Sequence, residues 1–315
     1  MHNRQRLAAS DAPDRVGPAK RLTRAKVEEA VAGYLFVMPS FFILFLFLFV
    51  PILSALVLVF LKYDLLTPPR WAGLANIRAL FTDRRMVTCY WNTLRFMLGA
   101  TLLNNVLGLV LAMGVNRAMP RLLKYVLRTA LFFPVLTTTA SLAVVWSFIL
   151  TRDRGVLNYY LQQVGLQPVA WLASARWALT STILYDVWKS CGYLMVLYLA
   201  GLQGIPGSLY EAAEIDGASR WQLTTRITLP LITPTAFFCI VVSLIGSSQV
   251  FDNVFVLTGG GPGDASRLIA IYIYELGFKR FDMGYAAVVS LTLLLALLLL
   301  TLLQFWGARK WVHYE

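Results

Sequence analysis

The chain has 315 residues, 58% of them hydrophobic and only 14% charged, with a mean hydropathy of +0.65. Soluble domains carry roughly 25% charged residues, so the composition excludes an ordinary soluble domain and points to a membrane protein. The formal charge of +12 comes from basic residues spread along the chain, seven of them before residue 34, which suits flanks against anionic lipid and not a nucleic-acid groove. No nucleic-acid-binding motif accompanies the charge. The three cysteines, Cys89, Cys191 and Cys239, are isolated and suggest neither a disulfide framework nor a metal site. The only histidines, His2 and His313, sit at the two ends, which leaves none for buried acid–base or metal chemistry.

Residues 1–25, "MHNRQRLAASDAPDRVGPAKRLTRA", are polar, basic and broken by prolines, and disorder is predicted there. Residues 26–34 read as a helix along the membrane surface, and the rest of the chain, 34–315, as a transmembrane domain. Six stretches are long enough to cross a bilayer, which takes about 20 apolar residues: 34–61, 92–116, 128–150, 178–202, 233–257 and 284–307. The first holds no charge but contains Pro39 and Pro51, which membrane helices tolerate when neighbouring groups re-satisfy the freed carbonyls. Its length, its polar lead and the lack of a small-x-small site argue against a cleaved signal peptide. The stretch 155–175 is rich in Gln and interrupted by Pro168; it reads as an extracytoplasmic loop with a surface helix, a seventh span being the alternative. Six spans put both termini on one side. The basic residues before the first span, and the four in "RAMPRLLKYVLR", predict that this side is the cytoplasm.

The segment "EAAEIDGASRWQLTTRITLPLITP", residues 211–234, is a polar insert between two apolar stretches, on the side predicted to be cytoplasmic. It reads as two short helices. Ser208 and Glu211 have capping-box spacing, and Ser219 and Gln222 repeat it. Gly217 falls between them, where a left-handed C-cap residue is needed. Pro230 is expected to end the second helix, and Thr233-Pro234 to supply the N-cap and first position of the next span. The insert is too short for a core of its own, so Trp221, Leu223 and Ile227 need a surface to cover. Lipid headgroups, the ends of the chain's own helices and another protein all remain open.

The spacing E-A-A, three residues, Gly, nine residues, Ile-x-Leu-Pro is met by Glu211, Ala212, Ala213, Gly217, Ile227, Leu229 and Pro230. It resembles the coupling loop of the membrane subunits of bacterial ABC importers. "LAGLQGIPGSLYEAAEIDGAS", "FDNVFVLTGGGPG" and "YIYELGFKRFDMGYAAVVS" are similar to the sugar-type branch, and the second to its maltose-transporter-like first permease subunit. The resemblance spans about 34–307, with a permease core of about 88–307 and a coupling loop of 204–232. It implies an all-α polytopic membrane protein with six transmembrane helices, of the type I ABC importer-like fold, in the bacterial inner membrane. The implied partners are two ATPase subunits, a second homologous permease subunit, an extracytoplasmic solute-binding protein and the lipid bilayer. By the same resemblance this chain is non-catalytic and binds no cofactor, ATP and Mg sit on the partner ATPase, and the solute is a disaccharide, oligosaccharide or glycerol phosphate. Glu211 would belong to the ATPase contact, or close a helix cap, or do both.

Ionisable groups at membrane depth are costly and usually face a bundle interior or a wet path. Asp186 and Lys189 share one helical face in the fourth span, while Asp252 and Asn253 lie late in the fifth. These four are candidates for the translocation path; a self-neutralising Asp186–Lys189 pair is the competing reading. "TGGGPGDAS" (258–266) lacks the Lys-Ser/Thr of a phosphate loop and follows a membrane span, so it reads as a flexible extracytoplasmic turn before a short helix. Two rivals stay open on the residues alone. An ion-coupled transporter would use Asp186, Lys189 and Asp252 as a relay, and an intramembrane enzyme would need a catalytic constellation that the spans do not display.

Overall fold

A computed structural model describes residues 24–117 and 119–309. It divides into two compact units, residues up to Ser54 and residues from Ala55 onward. The disorder expected for residues 1–25 lies almost wholly outside the described residues. Residues 26–34 do not form a separate surface helix: they run straight into the first span as part of α1 (Arg24–Leu44).

A π turn over Phe45–Phe49 and then α2 (Val50–Leu58) continue α1, giving an apolar stretch of 28 residues from Val31 to Leu58. At 1.5 Å per residue this reaches about 42 Å, beyond the ~30 Å of a bilayer core. The π turn has a local cause. Pro51 lacks an N–H, and its ring would press on the carbonyl four residues back. Just before it, the Val50 N–H reaches back five residues to the Phe45 carbonyl, which widens the turn. Phe36, Phe41 and Phe47 are all exposed, as suits a helix whose solvent is lipid.

After α2 comes a short β ladder within an otherwise helical chain. β1 (Leu61–Lys62) pairs antiparallel with β2 (Arg70–Trp71) in the register Leu61↔Trp71, with Phe60 stacked on Trp71. Two-residue strands are too short to show alternation in a sequence. α3 (Ala75–Leu80) follows, and Asn76 donates from its amide to the Val59 and Leu61 carbonyls at 3.0 and 2.9 Å.

The helices α4 (Arg84–Asn116), α5 (Arg121–Leu136), α6 (Thr139–Ile149), α7 (Val156–Gln163) and α8 (Ala178–Gln203) come next. α4 buries Cys89, Thr93, Phe96, Ala100, Asn104, Gly108 and Ala112, a stripe of helical period. Leu98, Leu102 and Val106 lie exposed off that stripe. Polar residues therefore face inward and leucines outward, the arrangement that lipid favours. The expected single span at 128–150 is two helices, α5 and α6, which meet at 100°. Pro134 removes a backbone donor, and Thr137 and Thr138 adopt extended dihedrals that suit β-branched residues. α7 lies in the 155–175 stretch, and the buried Asn158 knits that loop together. Its amide donates to the Arg152 and Val169 carbonyls, and its oxygen accepts from Val169 N and the Trp171 indole.

The last group is α9 (Gly207–Ile215), α10 (Arg220–Gln222), α11 (Leu229–Leu231), α12 (Thr233–Ser248), α13 (Asp252–Leu257), α14 (Ile269–Tyr274) and α15 (Met283–Ala308). The expected span 233–257 stops at Ser248, and α13 is a separate short helix. α12 is instead joined, through a 62° bend at Ile232, to the insert's second limb, Arg220–Leu231. Among the described residues three helices are long and apolar enough to cross a membrane, and five segments are if each bent pair is one span; α8 is more polar and outside that set, although its 26 residues reach about 39 Å.

α4 packs on α8 and α12, and α5 packs on α8. At the α5–α8 crossing a Cβ on Gly192 would collide with the Leu131 carbonyl oxygen. Gly192→Ala is expected to force the two helices apart and cost about 1–3 kcal/mol, the usual range for overpacking. A thermal melt of the purified protein in detergent, compared with wild type, checks this.

Candidate functional site

The insert is a bent pair of limbs built on one glycine. α9 closes with a Schellman pair: Ala218 N–H donates to the Ala213 carbonyl at 2.9 Å, and Gly217 N–H to the Glu214 carbonyl at 3.0 Å. Gly217 has φ +78, and no other atom lies within 4 Å of where its Cβ would stand. Conformation alone, not crowding, therefore demands glycine here. The Ser219–Gln222 box is closed in both directions, by Ser219 N–H to Gln222 Oε1 at 2.7 Å and by Gln222 N–H to Ser219 Oγ at 3.4 Å.

Three local expectations fail. The Ser208–Glu211 box does not form, because α9 starts at Gly207 behind Pro206, whose preset φ takes the N-cap place with no side-chain bond. Pro230 does not end the second limb. A π turn over Leu223–Thr228 precedes it, with Leu229 N–H reaching back to Thr224 O, and the helix runs on to Leu231. Thr233 is the first helical residue and not the cap; its hydroxyl donates to the Pro230 carbonyl at 2.7 Å.

Glu211, Ala212 and Leu229 are exposed, and Ala213, Ile227 and Pro230 are half-buried. Leu223 and Ile227 are covered in part by the chain itself, whereas Trp221 is 75% exposed and Ile215 86%. Ile215 is an outward apolar residue that the sequence reading left unmentioned. A hydroxyl pair, Tyr210 and Thr228 at 3.0 Å, ties the two limbs together. Behind them a cavity of about 470 Å³ opens against the end of α4, lined by Asn116, Arg117, Tyr210, Glu214 and Arg220 among others.

A second feature lies between α4, α8 and α12. Asp186 accepts from the Asn104 amide at Oδ2 (3.3 Å) and from the Asn253 amide at Oδ1 (3.2 Å). Both asparagines are buried. Asn104, Asp186, Ser190, Tyr193, Ser243 and Ser247 line a cavity of about 280 Å³. Next to Asn104, Asn105 donates to Ser243 Oγ at 3.1 Å and accepts from the Tyr198 hydroxyl at 2.8 Å. Of the four predicted path residues, the structure joins Asp186 and Asn253 but not the other two. Asp252 is exposed at the start of α13. Lys189 forms no ion pair with Asp186 among the described residues, although its charge acts on the carboxylate, whose direct partners are the two amides. Asn104 and Asn105 escaped a reading that looked for ionisable groups. Their signal was two adjacent amides in an apolar span, on the same stripe as Thr101 and Gly108.

A third feature corrects the reading of "TGGGPGDAS" as a flexible turn. Ser266 is fully buried, bonded to Gly261 O at 2.7 Å and paired with Thr258 Oγ1 at 2.8 Å. The Asn92 amide holds the Asp264 carbonyl at 2.7 Å. Arg85 grips the Asp264 carboxylate in a fork at 2.9–3.1 Å, and Arg267 bridges Asp264 to Glu275. Nearby, Asp83 caps α4 and accepts from the Tyr272 and Tyr285 hydroxyls at 2.7 and 2.6 Å. The Arg85 guanidinium, helped by Arg267, holds the Asp264 carboxyl below the usual range against the opposing effect of burial.

The chain matches the family described as binding-protein-dependent transport system inner membrane component over residues 104–312. It is 34% identical over 305 residues to the probable ABC transporter permease protein YesP of Bacillus subtilis, covering 94% of this chain and 96% of that protein. It is 33% identical over 288 residues to the lactose transport system permease protein LacF of Rhizobium radiobacter, covering 89% and 95%. Among solved structures, a chain of a bacterial alginate ABC transporter in complex with an alginate-pentasaccharide-bound periplasmic protein superposes with a TM-score of 0.81. The identity is 24%, and 91% of this chain and 96% of that one are covered.

Gly217→Ala is expected to cost about 1–2 kcal/mol, the left-handed penalty for an L-residue. Gly217→Asn should recover part of it, and melts of the two variants side by side check the order. The Asp264 carboxyl titrates lower in the folded chain than in the unfolded one. Its contribution is therefore present above about pH 4, the ordinary aspartate value, and is lost as pH falls through the depressed value. Asp264→Asn should remove this part of the pH dependence and lower the melting temperature at pH 7, read from melts across pH 3–7.

Proposed function

The chain belongs to the family of binding-protein-dependent transport system inner membrane components, and from that premise we propose that it forms half of the path of an ATP-driven sugar importer. It is a membrane-spanning permease subunit. In the proposal its partners are a second homologous permease, two ATPase subunits and an extracytoplasmic binding protein. ATP and Mg are held by the ATPases, this chain contributes no catalysis, and both termini face the cytoplasm. A sugar or related solute is supported by relatives such as the lactose permease protein.

The observation that carries the reading is continuity of structure. The exposed α9, with Glu211, Ala212 and Ile215 at its surface, is clasped to the second limb by Tyr210 and Thr228. That limb passes through the bend at Ile232 into α12, whose Ser243 and Ser247 line the polar cavity. Displacement of α9 by a closing ATPase pair would thus reach the cavity wall without leaving the backbone. Solute passage follows from a shift between two packings of α4, α8 and α12, biased by nucleotide at remote subunits. The neutral and anionic lining of the cavity suits a path for a hydroxyl-rich solute, with Asp186 and Asn253 in its wall.

The test is reconstitution with the partner subunits in proteoliposomes. ATP-driven uptake without any ion gradient is expected, together with a crosslink from a cysteine at position 212 to an ATPase subunit. Uptake that needs an ion gradient, with no such crosslink, would return the assignment to a secondary transporter.

A further inference from the structure

We infer that Asp186 sets the charge class of the solute: the cavity between α4, α8 and α12 accepts uncharged or cationic polyhydroxylated ligands and rejects anionic saccharides. The inference rests on this cavity being part of the solute path. Within that reading it separates neutral sugars from the uronates and sugar or glycerol phosphates that a saccharide importer could equally carry.

The argument begins with hydrogen-bond bookkeeping. A carboxylate offers about four acceptor positions, and Asp186 uses one on each oxygen, toward Asn104 and Asn253. Asn104 Oδ1 is buried without a partner, although the residue is only 3% exposed. Ser243 donates its hydroxyl to the Cys239 carbonyl at 2.7 Å and accepts from the Asn105 amide at 3.1 Å, so its bonding capacity is largely used. Asp186 is therefore the acceptor-rich group of the wall, whose other polar members include the hydroxyls of Ser190, Tyr193 and Ser247, able to donate as well as accept. Sugar hydroxyls and ammonium groups supply donors; a carboxylate or phosphoryl group supplies only more acceptors.

Charge points the same way. No Lys, Arg or His lines the cavity, and Lys189 is not among the lining residues. The amide donors that face Asp186 are dipoles, and Lys189 acts on its charge only from beyond ion-pair distance. An anion entering beside it meets a like charge where low dielectric magnifies the repulsion, and the wall offers no guanidinium or ammonium to pair with. A cavity of about 280 Å³ is too small to keep the two charges separated by bulk water.

The experiment uses the whole transporter, permease pair plus ATPases, in nanodiscs without the binding protein, so that the binding protein's own selectivity does not enter. Saturation-transfer NMR titrations compare three trisaccharides of equal length: neutral, amino-substituted and uronate. Wild type should bind the neutral and amino forms at least tenfold more tightly than the uronate. Asp186→Asn should shrink that ratio to about threefold or less, whatever it does to the affinity for the neutral form. A uronate bound as tightly as the neutral sugar by wild type overturns the inference, and that comparison stands even if the variant fails to assemble. An anion penalty that persists unchanged in an assembled Asp186→Asn transporter overturns the role of Asp186. If none of the three binds, the cavity is not a solute site, and the reading of the path falls with it.

Discussion

A carboxylate placed among apolar helices must be met by donors, and the packing of the second unit is arranged around that requirement. Asp186 on α8 is met by an amide from α4 and another from the start of α13. Neither asparagine could reach it unless α4 and α8 packed closely and α12 ended where it does. The inward stripe of α4 supplies this fit. Small and polar positions such as Ala100, Asn104, Gly108 and Ala112 face α8 and α12, and leucines are left to the lipid. The cavity beside Asp186 is the space that this polar packing leaves open.

The irregular backbone of the chain also has a shared origin. Pro51 and Pro230 each stand two residues after the last residue of a π turn. In both places a backbone bond that reaches back five residues opens the helix before a ring that would otherwise crowd a carbonyl. Pro134 has no such turn, and there the helix breaks outright into α5 and α6. Prolines in the helices thus meet different fates: Pro39 sits inside an unbroken α1, Pro51 and Pro230 follow a widened turn that keeps the helix running, and beyond Pro134 the chain turns through about a right angle.

This contrast explains what could be read from sequence and what could not. Apolar length revealed where the chain crosses, since a bilayer imposes a minimum run of residues. It could not reveal where a crossing bends, because prolines in membrane helices carry no mark of which response will follow. Gly217 was legible because a left-handed C-cap between two short helices has a strong residue preference, and its φ of +78 agrees. The Ser208–Glu211 box was misread because Pro206 takes the N-cap place two residues before that serine. The grip of Arg85 on Asp264 joins residues 179 positions apart, and no local period encodes such a contact. The amides at 104 and 105 were overlooked for a chemical reason. A search for charges passes over the neutral groups that make a buried charge tolerable.

The hydroxyl clasp between Tyr210 and Thr228 has a geometric outcome. The turn at Gly217 is shaped by its Schellman bonds, and the clasp resists splaying of the two limbs across their open side. A tilt of α9 carried through the second limb reaches its first break at Ile232. Ser243 lies about 16 Å along α12 from that fulcrum, at 1.5 Å per residue. A swing of ten degrees there would carry the serine roughly 3 Å, about the span of the hydrogen bond it now makes with Asn105.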